Sequence, residues 1–413
     1  MNVKLFKMAL VLGSLSWIGP FAIDMYLPAL PVLAADLDAT PQGAQATLMA
    51  YFIAFGSSQI FYGPASDVLG RKPPIYFGLV VFGMASLACA WAPGIEWLIV
   101  LRFFQGLGAA AVMSIPRAVI RDCYVGNEAT RLMSTIMLMI AVSPMFAPLL
   151  GAAVVVPFGW RAIFIAVAAA SGFGLAMTYF GLRETLPPER RTPFRTESLK
   201  RAFAVLLTDP RFLGLTFINA MGLSSFFAFL AISSFLYMDY YQLSPVQYSL
   251  AFAVNAVGFF AASQTAANFG QRFGAVSVIR AAVAGFCGSA LLMFCLVLLG
   301  FEQLPLLALL LFCTYSFLGL VLPTAMVLAL EEHGPIAGTA SSLAGTLQMT
   351  TGAVVIGLVS SGFSISPFTL VTTIALCALI AQGLTMVTLS RKSESARAAA
   401  AAAVSRGATS ENG

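Results

Sequence analysis

The sequence is poor in charged residues and has a single histidine. Charged residues make up 9% of the chain and hydrophobic residues 59%, whereas soluble domains carry about 25% charged residues. His333 has no cysteine or second histidine at metal-ligand spacing, and the chain has no phosphate-binding loop and no Ser-His-Asp set. We therefore expect no enzyme activity, no catalytic residues, no metal site and no cofactor.

Disulfides and nucleic-acid binding are also not expected. The six cysteines are scattered, and most lie inside apolar runs, where a cysteine is usually a small buried hydrophobe. The net charge is +5, but no stripe of basic residues interleaved with aromatic residues is present. The basic residues follow the ends of apolar runs instead, so the excess positive charge indicates membrane topology and not a nucleic-acid partner.

Long apolar runs dominate the sequence. About 20 helical residues cross a hydrocarbon core of roughly 30 Å, and we draw twelve such runs, which predict an all-α integral membrane protein with twelve transmembrane helices. The first run continues to residue 30 without a small-residue cleavage site, which indicates a span and not a signal peptide. The twelve runs are 5–30, 46–66, 74–92, 97–121, 132–156, 160–182, 211–237, 246–269, 276–300, 304–330, 337–362 and 366–390.

The distribution of lysine and arginine predicts the orientation of these spans. Basic residues concentrate in the loops of one face, among them Lys7, Arg71 and Lys72, and in the segment 183–211. The opposite loops carry mainly acidic residues, with Arg161 as the clearest exception. Because cytoplasmic loops are enriched in lysine and arginine, we expect a multi-pass protein with both termini in the cytoplasm.

A charged interruption divides the chain into two halves. Residues 183–210 contain a Pro-Pro-Glu-Arg-Arg run and, at 197–207, the pattern of a short surface helix. We predict an N-terminal six-helix bundle over 1–182, a cytoplasmic linker over 183–210 and a C-terminal six-helix bundle over 211–390. Paired halves of this kind are common among secondary transporters. The Ala- and Ser-rich segment 391–413 has no core-forming pattern and predicts a disordered cytoplasmic tail.

The loop between the second and third spans carries the most regular motif. Gly63, Asp67, Gly70 and Arg71 stand at fixed spacing between two apolar runs. The glycines permit close turns of the backbone, and the Arg-Lys pair marks the cytoplasmic face. We interpret this loop as a tight hairpin at that face.

An arginine lies inside the fourth predicted span. Arg102 begins the run Arg-Phe-Phe-Gln-Gly, and a charge at this depth costs several kcal/mol, about 3 on insertion scales, unless it faces a polar cavity or a partner. The small residues that follow let another helix pack closely. The alternative is that Arg102 extends to the nearby membrane surface, because it stands about one turn into its helix.

The fifth predicted span contains two prolines and a glycine at close spacing. Pro144 and Pro148 remove backbone donors and bend the helix. Gly151 offers a flat surface to a neighbouring helix. The alternative is an ordinary proline kink between packed helices.

Asp24 in the first span is the one carboxylate well inside a predicted span. Its apolar neighbours remove it from water, which favours the protonated form. Arg102 lies within about two turns of the same depth and is the predicted partner. The alternative is that Asp24 faces an outer vestibule and is merely solvated, although an intramembrane acid is a functional hypothesis by default.

Other polar and aromatic residues inside spans are candidates for a substrate cavity. Arg117 can attract an anionic or polar substrate, or it can extend to the cytoplasmic surface. The remaining residues have helix packing as their alternative. The candidate cavity residues are Tyr26, Tyr51, Arg117, Asn219, Phe226, Asn255 and Gln348.

Taken together, these stretches resemble the major facilitator superfamily. The loop with Gly63, Asp67, Gly70 and Arg71 is similar to its loop 2–3 signature, and Arg102 begins an Arg-x-x-Gln-Gly motif whose arginine is implicated in proton transfer. The fifth span resembles the motif of antiporters, with alanines at 147 and 152 where that motif has glycine. Residues 23–31, with Pro-Arg-Ala at 116–118, resemble the Bcr/CflA subfamily of bicyclomycin and chloramphenicol/florfenicol exporters.

The resemblance implies a fold, a mechanism and a location. It implies two six-helix bundles around a cavity that opens alternately to each side of a bacterial inner membrane. Asp24 and Arg102 would couple transport to protons. Arg71 would pair with Asp122, and Asp67 would meet the start of span eleven near Gly338, as a latch of the outward-facing state. Pro144, Pro148 and Gly151 would serve the packing of the antiporter motif.

The implied function is proton-coupled efflux of small amphipathic antibiotics. The implied partners are a drug, protons and membrane lipid, with the protein acting as a monomer. A proton-coupled uptake symporter for a small metabolite is the alternative, since it shares the fold, the latch and the buried acid. A membrane receptor or scaffold that transports nothing would have no need of Asp24.

Overall fold

The computed structural model describes residues 3–124, 126–191, 196–362 and 364–390. Within these ranges the chain is helical and contains no strand. The α-helices are α1 Val3–Asp24, α2 Leu30–Asp36, α3 Pro41–Leu69, α4 Lys72–Ala90, α5 Ile95–Cys123, α6 Gly126–Phe158, α7 Trp160–Gly181, α8 Thr196–Thr208, α9 Pro210–Phe235, α10 Pro245–Phe273, α11 Ala275–Leu298, α12 Leu304–Glu331, α13 Ala337–Gly362 and α14 Pro367–Thr388.

Eleven segments of the described chain are long and apolar enough to cross a membrane. Helix α3, with 29 residues, is long enough as well, but it carries glutamine, serine and threonine along its length. Its polar side chains are tolerated because α5 and α13 cover it, so that much of its surface meets protein and not lipid. The all-α fold with twelve spans is therefore as predicted.

The first predicted span is broken where we expected a continuous helix. Helix α1 ends at Asp24, a short turn covers Leu27–Ala29, and α2 begins at Leu30. Pro28 has no backbone N–H to donate to the carbonyl of Asp24, and Pro31 has none to donate to that of Leu27, so a regular α-helix does not continue through this segment. The predicted first span over 5–30 lies within one membrane-length segment, Leu5–Asp36, and the break inside this segment places Asp24 at a helix end.

Other helix ends lie beyond the predicted limits, where local capping sets them. Thr40 accepts from the backbone of Gly43 at 3.2 Å and begins α3. Ser244 and Gln247 form a reciprocal capping box at the start of α10. Gly70 ends α3 with a φ of +94°, a backbone conformation that side chains other than glycine rarely adopt.

The long helices pack as two bundles. Helices α1 and α3–α7 contact one another, and α9–α14 form a second group, while α3 packs along α13 and α6 along α10 between them. The two six-helix bundles of the predicted fold class are present. The residue limits given for the halves stay a prediction, and the segment 391–413 lies outside the described residues.

Helix α8 lies in the linker, close to the predicted surface helix. Its Ala202 and Leu206 are buried and it packs on α9 and α13. We call the end of the bundle that carries α8 the linker face, and the opposite end, which carries the loop between α2 and α3, the far face.

The bundles are closed against each other toward the far face. Gln45 donates to the carbonyl of Ala231 at 3.0 Å and accepts from Ser360 at 2.6 Å. Ser249 donates to the carbonyl of Pro148 at 2.9 Å. The rings of Phe52 and Phe227 stack at 4.2 Å nearer the middle. A cavity lies between the bundles at the linker face.

Candidate functional site

Asp24 lies at the break of the first span and is buried. Its carboxylate accepts a hydrogen bond of 3.0 Å from the hydroxyl of Ser143 on α6. Helix α6 comes this close because Gly151 has no side chain: a Cβ there would lie 2.1 Å from the carbonyl oxygen of Met25. The proline-rich part of α6 therefore packs directly against the break in the first span, and its Ser143 forms the hydrogen bond to Asp24.

Arg102 on α5 is completely buried. It donates to Gln105, which donates in turn to Ser86 at 2.7 Å. The guanidinium carbon lies 4.6 Å from the ring centroids of both Tyr26 and Tyr51. Cation–π contacts of this kind stabilise a desolvated guanidinium by about 2 kcal/mol. With 0% of its surface exposed, Arg102 does not extend to the membrane surface, and that alternative is wrong.

The predicted pairing of Asp24 with Arg102 is not found. In the described residues, Asp24 bonds to Ser143, and Arg102 bonds to Gln105 while its Nε and Nη2 have no hydrogen-bond partner. The tyrosine rings occupy the space around the guanidinium, so the carboxylate does not reach it. Asp24 and Arg102 both lie buried in the N-terminal bundle, but each has its own hydrogen-bond partner and they do not bond to each other.

Tyr26 and Tyr51 were predicted to line a substrate cavity, but they lie buried around Arg102 instead. Both are 0% exposed and neither lines the cavity. Tyr26 shares a 2.9 Å hydrogen bond with Thr47, and Tyr51 donates to the carbonyl of Gly19 at 3.1 Å. These bonds fix the two rings around Arg102.

The cavity at the linker face has a volume of about 1130 Å³. Residues of α3, α5, α6, α8, α10 and α13 form its wall. Its charged lining residues are Asp67, Arg71, Arg117 and Arg121. The Nε atom of Arg117 is buried and has no hydrogen-bond partner among the described residues.

Of the seven residues predicted to line a substrate cavity, Arg117 lines this one. Phe226 belongs to an aromatic cluster with Phe252, Phe259 and Tyr315. The other three are buried in the C-terminal bundle, and each has a side-chain polar atom without a partner in the described chain: Asn219, Asn255 and Gln348. Their contact with a substrate stays a prediction.

The loop between α3 and α4 is held by a network around Arg71. Its guanidinium donates to Asp67 at 2.6 Å and to Asp122 at 2.7 Å. The contact between Arg71 and Asp122 is the one that the resemblance implies. A Cβ at Gly70 would lie 2.8 Å from the side-chain ends of Glu184 and Arg191, which can move aside, so the φ of +94° is the reason why glycine stands there. A Cβ added at Gly63 would lie 3.8 Å from the hydroxyl oxygen of Ser342 on α13, an ordinary van der Waals contact.

The implied contact of Asp67 with the start of α13 is absent here. Asp67 bonds to Arg71, and no hydrogen bond joins it to Gly338 or another described residue of α13. Both residues line the cavity, which separates them. The part of the latch inside the N-terminal bundle is formed, and the part between the bundles is not.

Sequence reasoning missed two residues of this site. Ser143 was visible beside Pro144, but only the folded chain places its hydroxyl on Asp24. Glu184 accepts from the backbone N–H groups of Arg71 and Lys72 at 2.9 and 3.1 Å and caps the start of α4. It is remote in sequence from that helix, so no local pattern indicates it.

Comparison with known proteins decides the family. Residues 12–356 match the family model described as Major Facilitator Superfamily. The chain belongs to the major facilitator superfamily. It is 33% identical to a bicyclomycin resistance protein homolog of Haemophilus influenzae, over 86% of this chain and 89% of that protein. It is 31% identical to a chloramphenicol resistance protein of Pseudomonas aeruginosa, over 69% of this chain and 67% of that protein.

A solved structure shares the fold. A bacterial homolog of the human lysosomal transporter Spinster aligns with a TM-score of 0.70 at 14% identity, over 94% of this chain and 98% of that chain. The resemblance of this superfamily member to the bicyclomycin and chloramphenicol exporters is confirmed by the two relatives.

Proposed function

We propose that this protein is a proton-coupled efflux antiporter for small amphipathic antibiotics of the phenicol or bicyclomycin type. The relatives named for bicyclomycin and chloramphenicol resistance support the substrate class. The single observation that carries the coupling is the buried Asp24, held by one neutral hydroxyl at a helix break. A carboxyl in such a place can accept a proton, since burial disfavours its charged form.

The linker face is the cytoplasmic face in this proposal. It carries Lys7, Arg71, Lys72 and Arg183, as the positive-inside rule requires. Arg161, the exception at the far face, donates to Asp36 at 2.5 Å. Both termini then lie in the cytoplasm of a bacterium, and the protein lies in the inner membrane and acts as a monomer without a cofactor.

The transport cycle follows from the two faces. A drug enters the cavity at the linker face from the cytoplasm or the inner leaflet. The far side opens when the hydrogen bonds of Gln45 and Ser249 across the bundle interface break, and the contact of Asp67 with α13 then closes the linker face. A proton from outside occupies Asp24 and favours the return. The membrane potential supplies about 2.3 kcal/mol per charge per 100 mV.

Energised everted membrane vesicles test this proposal. Wild-type vesicles are expected to accumulate radiolabelled chloramphenicol or bicyclomycin, and a protonophore should abolish the accumulation. Asp24→Asn is expected to reduce accumulation to the background, because the amide cannot take up a proton. The matched control is Asp38→Asn, an exposed acid in the following loop, which should transport normally.

Two results would contradict the proposal. An uptake symporter would accumulate its substrate in right-side-out vesicles and not in everted ones. A receptor or scaffold would move neither drug, and Asp24→Asn would leave its activity intact.

A further inference from the structure

We infer that the cavity at the linker face selects its substrate by charge: it binds neutral molecules and monoanions through Arg117 and excludes cations. This inference rests on the proposed function and names the substrate class of the same site. It concerns binding at the cavity, so it can be tested apart from proton coupling.

The charges in the cavity wall are strongly unequal. Three arginines line the cavity and one aspartate faces them. Asp67 is already bonded to Arg71 at 2.6 Å, and Arg71 bonds to Asp122 as well. No carboxylate in the described wall is therefore free to bind a cation, while Arg117 and Arg121 have no acidic partner among the described residues.

Arg117 is the residue best placed to meet a substrate. It stands on α5 directly after Pro116, within the half of the helix nearer the linker face. Its Nε is buried without a partner, so part of its guanidinium is desolvated and uncompensated. An unpaired charge in such a place is costly. A substrate carboxylate, enolate or strong acceptor oxygen would satisfy it with a charge-assisted hydrogen bond.

The rest of the wall adds hydrogen-bond donors. The hydroxyl groups of Ser114, Ser341 and Ser342 and the amide of Gln264 line the same space. The first turn of α13 also lines it, and α13 is 26 residues long, so its N-terminal backbone contributes positive potential. The start of α13 favours an anion over a cation, and the hydroxyl and amide groups can donate to acceptor atoms of a bound molecule.

The size of the cavity agrees with this substrate class. Ligand pockets for drug-sized molecules have volumes of about 300–1000 Å³, and the cavity has about 1130 Å³. An antibiotic of a few hundred daltons fits with water remaining around its polar groups. A small inorganic anion would be held by Arg117 alone and would leave most of the apolar wall uncovered.

Three probes of matched size test the inference by binding to the purified protein. They are chloramphenicol, which is neutral, chloramphenicol succinate, which is a monoanion, and tetraphenylphosphonium, which is a cation. The wild-type protein is expected to bind the first two and not the third. Arg117→Gln should weaken binding of the succinate by about tenfold or more, the worth of a charge-assisted hydrogen bond, and that of chloramphenicol less.

Two further variants separate charge from folding. Arg117→Lys keeps the charge and should restore much of the affinity for the succinate. Arg272→Gln removes an exposed arginine outside the described cavity wall and should change nothing. Thermal unfolding of each variant shows whether it is folded.

Binding of tetraphenylphosphonium as tight as that of the succinate would overturn the inference. So would an equal loss of all three affinities in a folded Arg117→Gln protein, or no binding of any probe. The vesicle assay tests the proposed function separately. In that assay drug accumulation depends on Asp24 and not on the charge of the probe.

Discussion

Asp24 and Arg102 are two buried ionisable side chains that the protein holds in different ways. A single hydroxyl contacts Asp24, which is compatible with the proposal that its carboxyl is protonated during part of the cycle. Two tyrosine rings and one amide surround the guanidinium of Arg102. The surroundings of Asp24 suit a carboxyl that gains and loses a proton. The surroundings of Arg102 suit a group that keeps its positive charge near that carboxyl.

Arg102→Met should leave the protein folded and abolish drug accumulation. The desolvation cost of the buried charge disappears with it, and two of the guanidinium nitrogens have no partner to lose in the described chain. These gains offset the loss of the bond to Gln105 and of the two ring contacts. Thermal unfolding in detergent and the vesicle assay check the two halves of this prediction. A variant that loses stability but, where folded, still transports would show that Arg102 is structural only.

The sequence indicated the charged residues of the site better than their partners. Asp24, Arg102 and Arg117 are conspicuous because charges are rare inside apolar runs. The sequence could not show how each helix is rotated, so the pairing of Asp24 with Arg102 was wrong. For the same reason Tyr26 and Tyr51 were placed in a cavity, although they enclose an arginine.

At the scale of helices, close backbone contacts explain the small residues of the motifs. A Cβ at Gly106 would lie 2.3 Å from the carbonyl oxygen of Tyr51, and one at Gly151 would lie 2.1 Å from that of Met25. Backbone atoms cannot move aside as a side chain can. These glycines let α5 approach α3, and α6 approach the break after Asp24.

Gly151→Ala should destabilise the protein by about 1–3 kcal/mol, the usual cost of overpacking. The added methyl group would push α6 from the break and lengthen the contact between Ser143 and Asp24, so transport should fall as well. Thermal unfolding and drug accumulation measure the two effects. Gly172→Ala on α7 is the control, since nothing lies within 4 Å of its Cβ position; equal melting temperatures of the two variants would contradict the packing argument.

Glu184→Gln should weaken the linker-face end of the N-terminal bundle. Burial alone would raise the pKa of Glu184, but four backbone N–H donors outweigh it and hold the pKa below its ordinary value of 4.5. A carboxyl with a lowered pKa contributes stability above its unfolded-state pKa and loses it as the pH falls through the folded-state pKa.

The wild-type protein should therefore lose stability below about pH 4.5, and Glu184→Gln should show a smaller loss over the same range. At neutral pH the variant should be less stable by about 0.5 kcal/mol, the low end for a capping side chain, because glutamine keeps one of the two acceptor oxygens. Unfolding curves at several pH values measure both. Parallel pH profiles of wild type and variant would show that Glu184 is not the group responsible.

At the scale of the whole molecule, the contact between the bundles combines a few hydrogen bonds with apolar packing, such as that of Phe52 on Phe227. Four side-chain hydrogen bonds between described residues cross it, each worth about 0.5–1.5 kcal/mol net. Opening the far side breaks some of these bonds, and a proton or a drug molecule shifts the balance between the two faces only by its difference in affinity for them.

The architecture of the molecule was the easiest part to predict. Apolar runs and the positions of lysine and arginine gave an all-α protein with twelve spans, because the bilayer dictates both. Contacts between the halves could not be predicted, because their partners are far apart in sequence and no local pattern links them. Examples are the hydrogen bonds of Ser249 to Pro148 and of Ser360 to Gln45. The sequence also contains no pattern that predicts which face is closed, and in this structure it is the far face.

Proton movement in liposomes tests the account most directly. The purified protein is reconstituted with a pH-sensitive dye inside, with the membrane potential clamped and no initial pH gradient, and chloramphenicol is added outside. Antiport predicts that drug moving inward drives protons outward, so the interior becomes alkaline with the wild-type protein and not with Asp24→Asn. The direction holds for either orientation of the protein in the membrane. An interior that becomes acidic would show a symporter, and an unchanged pH during drug uptake would show that protons are not coupled at all.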